Sequence, residues 1–117
     1  MNEGLKEWAK VATDFLAEIG VAAEARVLRD LRRLAVERHR LRDITESIRD
    51  GVFELKTKHG GMQYRCFYAF NNNEIIVLVC FEKKTRKAPN HLIDLAISRL
   101  KHIKRNSEQD IGDIKLH

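Results

Sequence analysis

The chain is poor in the residues that carry the most specialised chemistry. Of its 117 residues two are cysteine, one is proline and 7% are aromatic. Cys66 and Cys80 sit in apolar surroundings without metal-ligand spacing and read as buried small hydrophobes rather than a disulfide or a zinc site. No run approaches the roughly 18 consecutive apolar residues of a membrane helix, which argues against a membrane protein. No glycine-rich phosphate loop follows a β-like run, neither HExxH nor CxxC occurs, and no Ser/His/Asp set emerges from the spacing. Neither a metal nor a cofactor is therefore expected. The opening stretch MNEGLKEWAK puts charges where a secretory leader would carry its apolar core, so the expected location is the cytoplasm.

What is present suits one globular domain with one core: 44% hydrophobic residues and 33% charged. Residues 1–105 read as that domain and residues 106–117 as a polar tail. The net charge of +5 is unevenly placed. Residues 1–51 hold ten Lys/Arg and ten Asp/Glu, residues 52–90 hold seven and three, and residues 91–117 hold five and four. Nearly all of the excess lies mid-chain. A locally positive sheet attracts a polyanion, phosphates first, whereas the bland reading is a face kept positive for solubility.

Apolar periodicity organises the rest. Leu5, Trp8, Ala12, Phe15, Leu16 and Ile19 recur at helical steps over residues 2–19, and Gly20 fits a helix C-cap. Val21, Ala25, Leu28, Leu31 and Ala35 then predict the inner face of a second helix, opposite Arg26, Arg29, Asp30, Arg32 and Arg33. Glu24, Asp30 and Glu37 interleave with these arginines and can pair with them, so this is read as a solvated or partner-binding face of a helical hairpin. Asp50-Gly51 is a turn after which the period becomes two. Val52–Thr57 sets Phe53 and Leu55 against Glu54 and Lys56; residues 58–61 are a loop; Gln63–Phe70 is a second strand, residues 71–73 a turn, and Glu74–Phe81 a third strand, apolar enough to be central and covered on both faces. Pro89 opens a helix carrying Leu92, Ile93, Ala96, Leu100 and Ile103, and beyond about residue 105 the chain turns polar. The predicted class is α+β: two N-terminal helices, a three-stranded antiparallel sheet with room for a fourth strand, and a C-terminal helix, the helices on one face.

In such a meander Tyr64 and Arg65 approach the stretch from Phe81 to Lys84, so cations from separate strands converge. That suits cleavage of an RNA backbone without metal: the 2′-hydroxyl attacks its own phosphate, cations stabilise the phosphorane and an acid protects the leaving 5′-oxygen. Arg65 is the expected phosphate clamp, its fork matching two oxygens. Lys56, Lys83 and Lys84 add charge or, with a depressed pKa, serve as base. His59 is a candidate acid or base. Lys58, Tyr64, Arg86 and Lys87 are candidate RNA contacts. Each has a plainer alternative: Lys56 and Lys58 as outward strand and turn residues, Tyr64 and Tyr68 as core.

The strings DGVFELK, QYRCFYAF and EIIVLVCFEKKTRKAPNHLIDLAISRLKHI, in that order, resemble the HigB-like branch of the RelE/ParE toxin superfamily. The matching residues are Gly51, Phe53, Glu54, Leu55 and Lys56; Tyr64, Arg65 and Tyr68; Phe81, Lys83, Lys84, Thr85, Lys87 and Pro89; and Leu95, Ala96, Arg99 and Leu100. The resemblance implies the toxin of a type II toxin–antitoxin pair, a ribosome-dependent endoribonuclease that cuts messenger RNA and is silenced by a cognate antitoxin protein of helix-turn-helix type. It implies Lys56, Arg65, Lys83 and Lys84 as the basic active-site set. With the Arg65 side chain facing the cleft, Arg65→Ala is expected to reduce toxicity by orders of magnitude and leave the fold intact. Two departures stand out. Members often carry His-Gly where this chain has Val79 and Cys80, and often open with a short strand where residues 2–19 read as helical.

Two other classes compete with that reading. ParE-like members of the superfamily poison DNA gyrase by binding, and a plain nucleic-acid or protein binding module would keep the scaffold without the chemistry. Clustered sheet cations favour RNA cleavage.

Overall fold

The computed structural model describes residues 14–37, 41–71, 74–84, 86–87 and 89–109, with side chains through residue 105. The expectations for residues 2–13, Asn72, Asn73, Thr85 and the end of the tail lie outside the described residues. Residues 14–19 are helical (α1) and are followed by helix α2 (Val21–Glu37), strands β1 (Thr45–Arg49), β2 (Val52–His59), β3 (Met62–Asn71) and β4 (Glu74–Glu82), and helix α3 (Asn90–Gln109). The strands form one antiparallel sheet in the order β1-β2-β3-β4. The α+β class, the two N-terminal helices and the C-terminal helix are as the periodicity predicts, and the sheet has its fourth strand.

That strand is β1, and the sequence carried its signal. Asp50 and Gly51 both have positive φ, 53° and 84°, which is the two-residue turn whose twist matches antiparallel strands. Such a turn needs a strand before it as well as after it. Gly60 and Gly61, at 58° and 79°, make the same turn between β2 and β3, so Lys58 and His59 belong to β2 rather than to a loop.

The helices lie on both faces of the sheet, not on one. On one face α3 places Ile93, Ala96, Ile97, Leu100 and Ile103 against Val52, Phe67, Ala69, Ile76, Leu78 and Val79. On the other, Leu16 of α1 and Ala23, Val27 and Leu34 of α2 cover Leu55, Tyr64, Cys66 and Tyr68. This is why β4 is apolar throughout: α3 covers one side and the α2 layer covers the other in part, although β4 is an edge strand among the described residues and not a central one. A bulge at Leu78 lets Leu78 and Val79 both face α3, and Arg99 of α3 donates to the Leu78 carbonyl.

The buried stripe of α2 is rotated from the predicted one. Ala23, Val27, Asp30 and Leu34 are buried, whereas Val21, Ala25 and Ala35 are exposed. The reason is Asp30. Its carboxylate accepts the Thr57 hydroxyl of β2 at 2.8 Å and lies 3.2 Å from Arg29 and 3.9 Å from Arg33. A hydrogen-bonded, ion-paired carboxylate can sit on the core side of a helix, and a hydrophobicity pattern cannot register it. Arg33 also pairs with Glu37 at 3.2 Å, as the charge pattern predicts.

Candidate functional site

Alternation along the strands decides which side chains share a face. Lys56 of β2 and Arg65 of β3 are register partners, and Arg65 in turn opposes Phe81 of β4. Phe67 and Phe81 pack on the α3 side, so Arg65, Lys56 and, two residues beyond Phe81, Lys83 belong to that side too. The side chains of α3 pack on the rows through Val52, Phe67 and Ile76, Phe81 packs against the same cluster, and the more exposed Lys56 and Lys83 stand toward the end of the face beyond them. Lys83 is held there by its backbone N–H, which donates to the Gln63 carbonyl at 2.8 Å.

Arg65 forms the floor. Its side chain is 6% exposed, its Nη2 donates to Gln63 Oε1 at 2.8 Å, and its Nε lies 3.5 Å from Glu54 Oε2, itself on a side chain 6% exposed. Nη1 has no hydrogen-bond partner among the described residues. Nη1 is also closed off from solvent, so the guanidinium acts on the face above it through its charge rather than through a direct contact. Above it, Lys56 Nζ meets Glu46 Oε2 of β1 at 2.9 Å. That hydrogen bond and the Lys56 charge hold the Glu46 carboxyl below the usual glutamate range, and Lys83 and Arg65 pull in the same direction. Four side chains from β1, β2, β3 and the end of β4 thus share one electrostatic field. Beside them Gln63, Lys83, Lys84 and Arg86 line an open cleft.

The other predicted site residues fall elsewhere. Tyr64 is buried on the α2 side, edge-on to Phe15 at 6.3 Å between ring centroids, and is core rather than a stacking platform. His59 alternates onto the α2 side and lines a separate cleft with Arg26, Lys58 and Gln63. It does not join Lys56, Arg65 and Lys83. Lys58 is exposed at the rim, Arg86 joins the Lys83 cleft, and Lys87 is exposed nearby. Val79 is core against α3, and the Cys80 sulfur lies 3.4 Å from that of Cys66.

Three functional candidates escaped the sequence reading: Glu46, Glu54 and Gln63. Glu54 alternates with apolar residues and so reads as outward, yet it is buried as the partner of Arg65. Glu46 lies on the strand that was not foreseen. Among the described residues no three His, Cys, Asp or Glu side chains are grouped so as to hold a metal ion, and no helix is long and apolar enough to cross a membrane.

The family model for phage-derived Gp49-like proteins (DUF891) matches residues 14–101, three quarters of the chain. The chain belongs to this Gp49-like family. The family is toxin-like, of the RelE/HigB kind found in toxin–antitoxin systems. The match runs from α1 through most of α3 and therefore includes every strand that supplies the cationic face. No curated protein and no solved structure gives a significant match.

Proposed function

We propose that the protein is the toxin of a type II toxin–antitoxin pair and a ribosome-dependent endoribonuclease that cuts messenger RNA without metal. The observation that supports this reading most is that strand register puts Lys56, Arg65 and Lys83 on one side of one end of the sheet, with Arg65 buried and the two lysines more exposed. Arg65, buried beneath the lysines with Glu54 and Gln63 holding its guanidinium, lends its positive charge to the phosphate from below. Lys56 and Lys83 neutralise the charge that grows on the phosphorane oxygens, and Lys84 and Arg86 hold the adjoining phosphates.

The attacking group is the ribose 2′-hydroxyl. Its oxygen bonds to phosphorus, the bond to the 5′-oxygen breaks, and that oxygen takes a proton from a lysine ammonium of the face. Glu46, with a side chain 57% exposed, is the carboxylate placed to receive the hydroxyl proton. A carboxylate held at low proton affinity is a weak base, so stabilisation by the cations carries more of the rate than proton transfer does. The antitoxin lays an acidic segment over the same face, which opposite charge and the neighbouring cleft both favour.

Wild-type protein added to a translating extract is expected to cut messenger RNA at discrete positions, leaving 2′,3′-cyclic phosphate and 5′-hydroxyl ends. Ends bearing 5′-phosphate would contradict attack by the 2′-hydroxyl, and an intact messenger would contradict the nuclease reading altogether.

A further inference from the structure

We propose that Cys66 and Cys80 form an intramolecular redox pair: oxidation by a peroxide closes a cross-strand disulfide between β3 and β4 in the folded protein. The two residues are register partners on adjacent antiparallel strands. Residues so placed have Cα atoms roughly 4.5–5.5 Å apart, within the range of about 4.4–6.8 Å that disulfides span. Their sulfurs already lie 3.4 Å from each other, so closing to the bonded distance of about 2.05 Å asks for side-chain rotation and no slip of register.

The two thiols differ in access. Cys80 is half-buried and Cys66 is 1% exposed. Its hydrogen-bonded neighbour Cys80 and its burial push the Cys66 thiol well up, which, with its lack of access, argues against it as the group that meets the peroxide. In the first step the Cys80 sulfur attacks the peroxide, the O–O bond breaks, and Cys80 sulfenic acid and one water form. In the second, Cys66 sulfur displaces that hydroxyl, which leaves as a second water with the Cys66 proton. Two electrons pass from the thiols to the peroxide.

The bond encloses a loop of about 15 residues and stitches the edge strand β4 to β3. Cys66 and Cys80 pack on the α2 side, whereas their neighbours Arg65 and Phe81 lie on the other, so the bridge closes behind the cationic face. The inference therefore stands apart from the proposed nuclease activity.

The test treats the native full chain with hydrogen peroxide, quenches it, and counts free thiols after denaturation. Expected are a fall from two thiols to none, a mass lower by two hydrogens, a monomer on a non-reducing gel, and a thermal midpoint raised by about 5–10 °C that a thiol reductant reverses. Cys66→Ser should stop at a Cys80 sulfenic acid that a carbon nucleophile traps, with no gain in midpoint. Retention of both thiols by the folded protein would overturn the inference. So would disulfides formed only between copies, or only after unfolding.

Discussion

Burial changes what Arg65 means. Taken as a string, QYRCFY offers an arginine on a β strand, and its simplest use is a surface clamp removable without harm to the fold. In the folded chain Arg65 and Glu54 are buried together, and truncating one leaves the other as an uncompensated interior charge. Arg65→Ala is therefore expected to cost about 3–5 kcal/mol of stability, with Arg65→Lys costing less. Chemical denaturation checks this, and an Arg65→Ala protein as stable as wild type would show that the pair is not buried as described. Loss of activity in that variant alone would say little about chemistry, whereas Lys56 and Lys83, more exposed, are the informative positions.

Glu46 gives the residue scale its pH dependence. Its carboxyl is lowered in the folded state by the Lys56 hydrogen bond and charge, so it contributes stability above the unfolded value of about 4.5 and loses that contribution as pH falls through the lower folded value. With both side chains well exposed the contribution is under about 1 kcal/mol. Wild type and Glu46→Gln should differ in denaturation midpoint at neutral pH and converge in acid. A constant difference across that range would contradict the assignment.

At the scale of elements, legibility followed the local signal. Period-two alternation located β2, β3 and β4, and the helical period located α3, because those segments bury what their hydrophobicity says they bury. Glu54 and Asp30 were misread as outward for a shared reason: each is a charge made tolerable inside by a partner distant in sequence, Arg65 and Thr57. The rotation of α2 follows directly from the second. β1 was missed although Asp50-Gly51 announced it, since Thr45–Arg49 is too short and too polar to show alternation. The edge position of β4 was hidden because two helical layers make an edge strand as apolar as a central one. Leu78, fully buried at the bulge of that strand, is the element's most sensitive position. Leu78→Ala is expected to cost about 2–5 kcal/mol by the lost transfer energy and the cavity left behind. A loss below about 1 kcal/mol would mean that β4 is not packed from the α3 side.

For the whole molecule, the decisive matter is how charge is distributed. The excess that the sequence places in residues 52–90 is drawn by the meander onto one end of one sheet face, from strands that are adjacent in space because they are consecutive in the chain. The cation set was legible for that reason: antiparallel order alone brings Arg65 beside Phe81 and Lys83. The acidic and amide residues that orient the set were not, because their roles depend on burial. His59 stands three residues from Lys56 on the same strand and so faces the other side, which placing residues 58–61 in a loop conceals.

The most direct measurement of the central claim is messenger 5′-end mapping in a translating extract with wild type and the Lys56→Ala, Lys83→Ala double variant at equal folded concentration. If the shared cationic face stabilises the phosphorane, wild type produces discrete cuts and the double variant loses cutting by about 10²–10³-fold or more while its melting temperature stays near wild type. Cutting undiminished in the folded double variant would contradict the claim.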